Sequence, residues 1–131
     1  VAMAHGGLPI GGPLSYALRT KGLGTLNVEF YTGVDSRLPE TVVLPPLLDT
    51  AAMAGLKVLV ADDVADTGET LALVKRLMEQ HAGEVRTVVL YAKSHSVINP
   101  DYVWKRTDQW ITFPWSALPP VTPGKPHPEE G

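Results

Sequence analysis

The chain has 131 residues, 44% of them hydrophobic and 19% charged, with a formal net charge of −3. That composition belongs to one globular domain with a modest core; it excludes a disordered chain and gives no general basic field for nucleic acid. Cysteine is absent, which removes disulfides, thiol nucleophiles and thiolate zinc sites and suits a reducing cytoplasm.

In chain order, residues 1–4 (VAMA) read as a buried strand with no initiator Met and no polar lead-in. The expectation is that the first element or two of the domain lie upstream. Residues 13–20 read as a helix with Pro13 in its first turn. A strand is expected over residues 26–31. Residues 32–49 follow, with Gly33, Pro39, Pro45 and Pro46 and no sustained periodicity. A connection that long in a compact domain is a lid, a binding loop or a disordered stretch. Residues 57–61 (KVLVA) form the next strand, and residues 70–81 a helix with Leu71, Val74, Leu77 and Met78 on one face and Gly83 just past its end. Residues 86–92 are strand-like, and two short runs, 102–104 and 110–113, are candidate strands. The tail, residues 117–131, is Pro-rich without an apolar period and reads as a disordered extension of a domain spanning residues 1–116. No apolar run reaches the roughly 18 residues of a membrane span. Strands alternating with helices imply an α/β fold, a mostly parallel sheet with helices on its faces.

The informative stretch is VLVADDVADTGET, residues 58–70. Ligands of open parallel sheets sit beyond the carboxyl ends of the strands, and Asp62 and Asp63 follow directly on an apolar strand. One acid there would ordinarily be a solvated strand end. Asp62, Asp63 and Asp66 lie within five residues, and their repulsion calls for cations or hydroxyl donors to offset it. Downstream, the turn ADTGET runs into a helix, so its N–H groups and the helix dipole favour an anion. Thr67 and Thr70 add hydroxyls, and Gly68 lets the backbone approach closely. The alternative is helix capping by Asp66 or Thr67, which leaves the upstream acids unexplained. Carboxylates beside an anion pocket suit a ligand with both sugar hydroxyls and a phosphate, such as ribose 5-phosphate. Other phosphate folds fail: Gly12-Pro13 stands where a Walker loop needs Lys-Ser/Thr, and no G-x-G-x-x-G follows a strand. A two-component receiver fails as well, because it needs an acceptor Asp ending a strand before the lysine.

This stretch resembles the phosphoribosyl-pyrophosphate (PRPP) signature of type I phosphoribosyltransferases: an apolar strand, two acids, two apolar residues, then D-T-G-x-T. Further segments agree. Ala4-His5-Gly6-Gly7 sits where that family has its pyrophosphate loop, and residues 32–49 where it has a mobile catalytic loop. YAKS (residues 91–94) and DYVWKRTDQWITFPWS (residues 101–116) resemble the base-binding end of the 6-oxopurine branch, the xanthine-guanine enzymes of bacteria above all.

The resemblance implies a transfer of phosphoribose from PRPP to N9 of guanine, xanthine or hypoxanthine in purine salvage, with Mg2+ and release of pyrophosphate. It implies that Asp62 and Asp63 accept hydrogen bonds from the ribose hydroxyls, with Asp63 nearest the metal. Asp66 is implied as the general base near purine N7, and Asp66, Thr67, Gly68, Glu69 and Thr70 as the holders of the 5-phosphate. His5, Gly6 and Gly7 would form the pyrophosphate loop. Lys93 would donate to purine O6, Trp110 would stack on the base, and Ile111 would offer main-chain contacts. Relatives form homodimers or homotetramers, and Trp104, Phe113 and Trp115 fit either a subunit contact or core.

Two departures matter. His5 replaces the Arg or Lys of relatives, which implies weaker pyrophosphate binding. Ser116 stands where close relatives carry an acid toward the purine 2-substituent, so the ranking of bases stays open. His95 has no acid or second histidine at ligand spacing, and a zinc site there is not expected; His81 and His127 read as surface residues. Two other readings stand beside the enzyme: a PRPP sensor with little turnover, motivated by His5, and a transferase acting on a different acceptor.

Overall fold

The computed structural model describes residues 1–31, 40–43 and 49–124. In chain order its elements are β1 (Ala2–Ala4), α1 (Leu8–Ala17), β2 (Thr25–Tyr31), β3 (Glu40–Val43), β4 (Lys57–Ala65), α2 (Glu69–Glu79), β5 (Glu84–Ala92) and β6 (Tyr102–Arg106), with short 3-10 turns at Ala51–Met53 and Pro114–Ser116. They build one six-stranded sheet in the order β3-β2-β1-β4-β5-β6. Every pairing is parallel except β2 with β3. This is the expected α/β architecture, with an antiparallel strand added at one edge.

The runs VLVA and TVVL become central strands because both of their faces must be covered. Val60, Val85 and Val89 join Leu71, Val74 and Met78 of α2 in a single core with Met3, Leu26 and Met53. The apolar face of α2 is therefore the expected one, with Leu77 packed at its margin. Helix α1 lies close on β1: a Cβ at Gly11 would stand 2.7 Å from that of Ala2.

Several boundaries differ from expectation, each for a local reason. Helix α1 starts at Leu8 rather than Pro13, with Pro9 in its first turn and Pro13 inside. Strand β4 runs four residues beyond Ala61, because Asp62, Val64 and Ala65 keep pairing with Val89, Tyr91 and Ala92 of β5. Residues 110–113 form no strand; among the described residues β6 is the last one, and an irregular segment leads from it to a 3-10 turn. The segment expected to be a loop contains β3, whose Val42 and Val43 pair with Glu29 and Val28. The rest of that expected mobile loop, residues 32–39 and 44–48, lies outside the described residues, as do His127 and the end of the tail. Among the described residues no helix is long and apolar enough to cross a membrane.

The strand order fixes where a ligand can sit. From β1 the chain crosses through α1 to β2 on one side, and from β4 through α2 to β5 on the other. The connections diverge at the β1–β4 seam, so a crevice opens beyond the carboxyl ends of these two strands.

Candidate active site

The seam is asymmetric. Ala2 pairs with Ala61, β1 ends at Ala4, and β4 continues to Ala65. The last residues of β4 thus overhang a strand that has already turned away. Counted from that register, Asp62 and Asp63 stand level with the last two residues of β1, Val64 and Ala65 form the overhang, and the chain after β1 folds over the acids.

The turn of His5, Gly6 and Gly7 is held by Gly7 N–H donating to Met3 O at 2.7 Å, and the Ala4–His5 peptide is cis. A side chain on Gly6 would overlap the Asp63 carboxylate, and one on Gly7 would run into the carbonyl oxygens of Met3 and Ala61. Both glycines are there for close approach. The expected pyrophosphate loop and acidic rim are therefore in van der Waals contact.

Each rim acid accepts the next backbone N–H: Asp63 N–H donates to Asp62 Oδ1 at 2.8 Å, and Val64 N–H to Asp63 Oδ1 at 2.7 Å. Burial, followed by the neighbouring charge of Asp63, pushes the Asp62 carboxyl up to about 8, against the pull of the Asp63 N–H. A cation or a set of hydroxyl donors arriving at this rim would relieve that strain.

Beyond β4 the chain turns through Asp66 and Thr67 into α2. Gly68 is the N-cap residue, at φ +78°, and no side chain caps the helix. The first intrahelical bond runs from Ala72 N–H to Gly68 O, leaving the amides of residues 69–71 ahead of the ladder. Thr67 Oγ1 accepts from Glu69 N–H at a long 3.4 Å. The capping alternative is thus met only by this one long contact from Thr67, and the remaining amides at the start of α2, with the dipole, are left to an anion.

These pieces line one open cleft of about 270 Å³, bounded by Met3, Ala4, Val28, the stretch from Asp62 to Gly68, Thr70 and Leu71. Asp62, Asp63, Asp66, Thr67, Gly68 and Thr70 all line it. His5, Gly6, Gly7 and Glu69 flank it in the chain without lining it.

Of the base-binding candidates, Lys93 stands at the same end of the sheet, while Lys93, Trp110 and Ile111 do not line the cleft. Lys93 directly follows β5, and its backbone N–H donates to Ala65 O at 2.9 Å. Its ammonium donates to the carbonyl oxygen of Gln109, next to Trp110. The Trp110 ring is 89% exposed, whereas Phe113 is buried and stacked on Trp115. An indole left that open in a chain with a formed core is available as a platform. Ile111 is half-buried beside it. Trp104 is exposed, with its ring edge-on to Tyr91.

One contact was not expected. His95 Nε2 lies 2.6 Å from Asp66 Oδ1. The two residues are 29 apart in sequence, and no spacing rule joins them; only the bonds tying residues 93–97 to the Ala65–Gly68 turn bring them together.

Among the described residues no group of three or more His, Asp or Glu side chains is arranged so as to hold a metal ion by itself. The rim still fits magnesium, which takes one or two carboxylates and completes its octahedron with water and phosphate oxygens.

Comparison with known proteins agrees with this fold. The phosphoribosyl transferase domain model matches residues 1–119. A xanthine-guanine phosphoribosyltransferase of Cereibacter sphaeroides is 28% identical over 124 residues, covering 94% of this chain and 72% of that protein. The crystal structure of a purine phosphoribosyltransferase from Pyrococcus horikoshii is 32% identical, with a TM-score of 0.78, and covers 92% of this chain and 78% of the other. The Helicobacter pylori xanthine-guanine-hypoxanthine phosphoribosyltransferase shares the fold at a TM-score of 0.68 and 24% identity, over 88% and 75% of the two chains. A parallel sheet opened at the β1–β4 seam, with the acidic rim and the D-T-G-x-T turn on that opening, is thus found in a chain that belongs to the phosphoribosyltransferase family, as an enzyme of type I similar to the bacterial xanthine-guanine branch.

Proposed function

We propose that this protein transfers the 5-phosphoribosyl group of PRPP to N9 of a 6-oxopurine, one of guanine, xanthine or hypoxanthine, and serves purine salvage in the cytoplasm. The observation that carries the proposal is the single cleft lined by the paired aspartates and by the uncapped turn into α2. In this reading Asp62 and Asp63 accept the ribose 2- and 3-hydroxyls. The backbone from Asp66 to Thr70, with the Thr67 and Thr70 hydroxyls, takes the 5-phosphate. The His5-Gly6-Gly7 loop takes the pyrophosphate through backbone donors. Lys93 donates to O6, Trp110 stacks on the ring, worth about 1–3 kcal/mol for such a contact, and Ile111 adds main-chain contacts.

The bond from C1 of the ribose to the pyrophosphate oxygen breaks as the bond to N9 forms, through an oxocarbenium-like state. Such a reaction asks the protein chiefly for positioning and charge stabilisation. Asp66 accepts the proton that the purine gives up at N7. Asp63, with Asp62 beside it, would hold the magnesium ion, which would supply charge neutralisation for the leaving pyrophosphate. Residues 1–116 form the catalytic unit and 117–131 an extension of it. The exposed faces of Trp104 and Trp115 fit a contact between copies in a homodimer or homotetramer.

The test is an assay with PRPP, magnesium and each 6-oxopurine, run on this chain, on Asp66→Asn and on His5→Arg. Nucleotide should form with at least one base, fall by about 10²-fold without the Asp66 carboxylate, and rise when arginine strengthens the pyrophosphate loop. No nucleotide from this chain or from His5→Arg, with PRPP still bound tightly in calorimetry, would replace the enzyme by a sensor.

A further inference from the structure

His95 lies outside the machinery assigned above although its partner Asp66 belongs to it, and the surroundings of their contact show that it is built rather than incidental. Both residues flanking His95 are anchored. Ser94 donates its N–H and its hydroxyl to the two oxygens of Asp108, at 2.8 and 2.9 Å. Ser96 N–H donates to Lys93 O, and its hydroxyl donates to Ile98 O at 2.8 Å. Val97 N–H then donates to Thr67 O at 2.7 Å, which joins this loop to the phosphate turn. A side chain on Gly68 would collide with Ser96 Oγ, so the two segments touch there as well. The imidazole between these anchors meets Asp66, with Nε2 donating to the carboxylate oxygen.

The side chains of His95 and Asp66 are 58% and 61% exposed. A pair so exposed contributes little to folding stability; its effect is on where the carboxylate points. Asp66 stands two residues before the N-cap of α2, next to amides with no intrahelical partner. An aspartate there has an alternative, which is to turn onto those amides and cap the helix. Doing so would occupy the anion site with the protein's own charge. In this structure the carboxylate is on His95 instead, and the helix has no side-chain cap.

We infer that His95 is a positioning residue for the active site: it draws the Asp66 carboxylate off the α2 N-terminus, leaving those amides to the ribose phosphate and presenting the carboxylate to the incoming base. The second half rests on the reading of Asp66 as general base; the first half does not.

Two measurements separate the halves: ribose 5-phosphate affinity by calorimetry, and kcat with PRPP and the preferred purine. His95→Ala should weaken ribose 5-phosphate about 3- to 5-fold, the scale of one charge at a helix end, and lower kcat about tenfold. Gln places an amide nitrogen near the Nε2 position, so His95→Gln should recover both to within about twofold. With Asp66→Ala there is no carboxylate to fall back, so adding His95→Ala should not weaken ribose 5-phosphate further. The inference is overturned if His95→Ala leaves both quantities unchanged, or if it weakens ribose 5-phosphate as much without Asp66 as with it. A lower purine KM in His95→Ala at undiminished kcat also overturns it, His95 then being a plug in the base site. Asp66→Ala at the kcat of the unaltered protein removes the base assignment and the turnover half with it, while the affinity series still decides the other half.

Discussion

Asp62 is a carboxyl group placed where its charge is poorly tolerated. Burial, with Asp63 beside it, raises it from 3.8 to about 8, so the empty folded protein holds a proton that the unfolded chain has lost. By linkage, the stability this group contributes is present below 3.8 and is lost as pH rises toward about 8. Asp62→Asn keeps the acceptor for Asp63 N–H and removes the charge. It should therefore stabilise the ligand-free protein at pH ~8 by at least about 1 kcal/mol, or roughly 3–5 °C in Tm, and have little effect near pH ~4. Thermal melts across that range check this; a parallel shift at every pH would contradict it. The same proton should leave when Mg-PRPP binds, since hydroxyl donors and a cation favour the carboxylate. Calorimetry in buffers of different ionisation enthalpy should find about one proton released near pH ~7, and none from Asp62→Asn.

The element that matters most is the turn from β4 into α2. Gly68 serves two requirements at once, a left-handed backbone at φ +78° and contact with Ser96 Oγ and Ile98. Gly68→Ala should cost about 1–3 kcal/mol and raise the KM for PRPP more than that for the purine, because it displaces the phosphate amides and leaves Trp110 alone. Steady-state kinetics on a variant still folded at the assay temperature test this; equal effects on the two KM values would contradict it. This turn was also the most legible part of the sequence, since strand, acids, glycine and helix are contiguous and each has a local physical reason. What lay outside local reasoning was made by tertiary pairing. Strand β4 outlasts its apolar run because β5 continues to pair with it. β3 forms in a Pro-rich segment because β2 offers an open edge. His95 finds Asp66 only through the bonds from Lys93 and Val97 to Ala65 and Thr67.

At the scale of the whole molecule, a short β1 and a long β4 leave the sheet open at the seam where its connections diverge. The glycine turn after β1 closes over the acidic rim, and the loop after β5 carries Lys93 and His95 to the same place. The fold class and this rim follow from alternating periodicity and one motif, as a topological switch point requires. The residues that couple the seam to β5 do not, because their partners are set by the sheet order and not by spacing. The central claim is that sugar hydroxyls and phosphate are read by two separate parts of that seam. The direct measurement is an amide NMR titration with ribose 5-phosphate, with ribose and with inorganic phosphate. The account predicts that phosphate alone perturbs Thr67 through Leu71, ribose alone perturbs Asp62 through Val64, and ribose 5-phosphate perturbs both sets with higher affinity. Perturbations confined to other parts of the sheet, or a response to ribose 5-phosphate that spares Thr67 through Leu71, would contradict it.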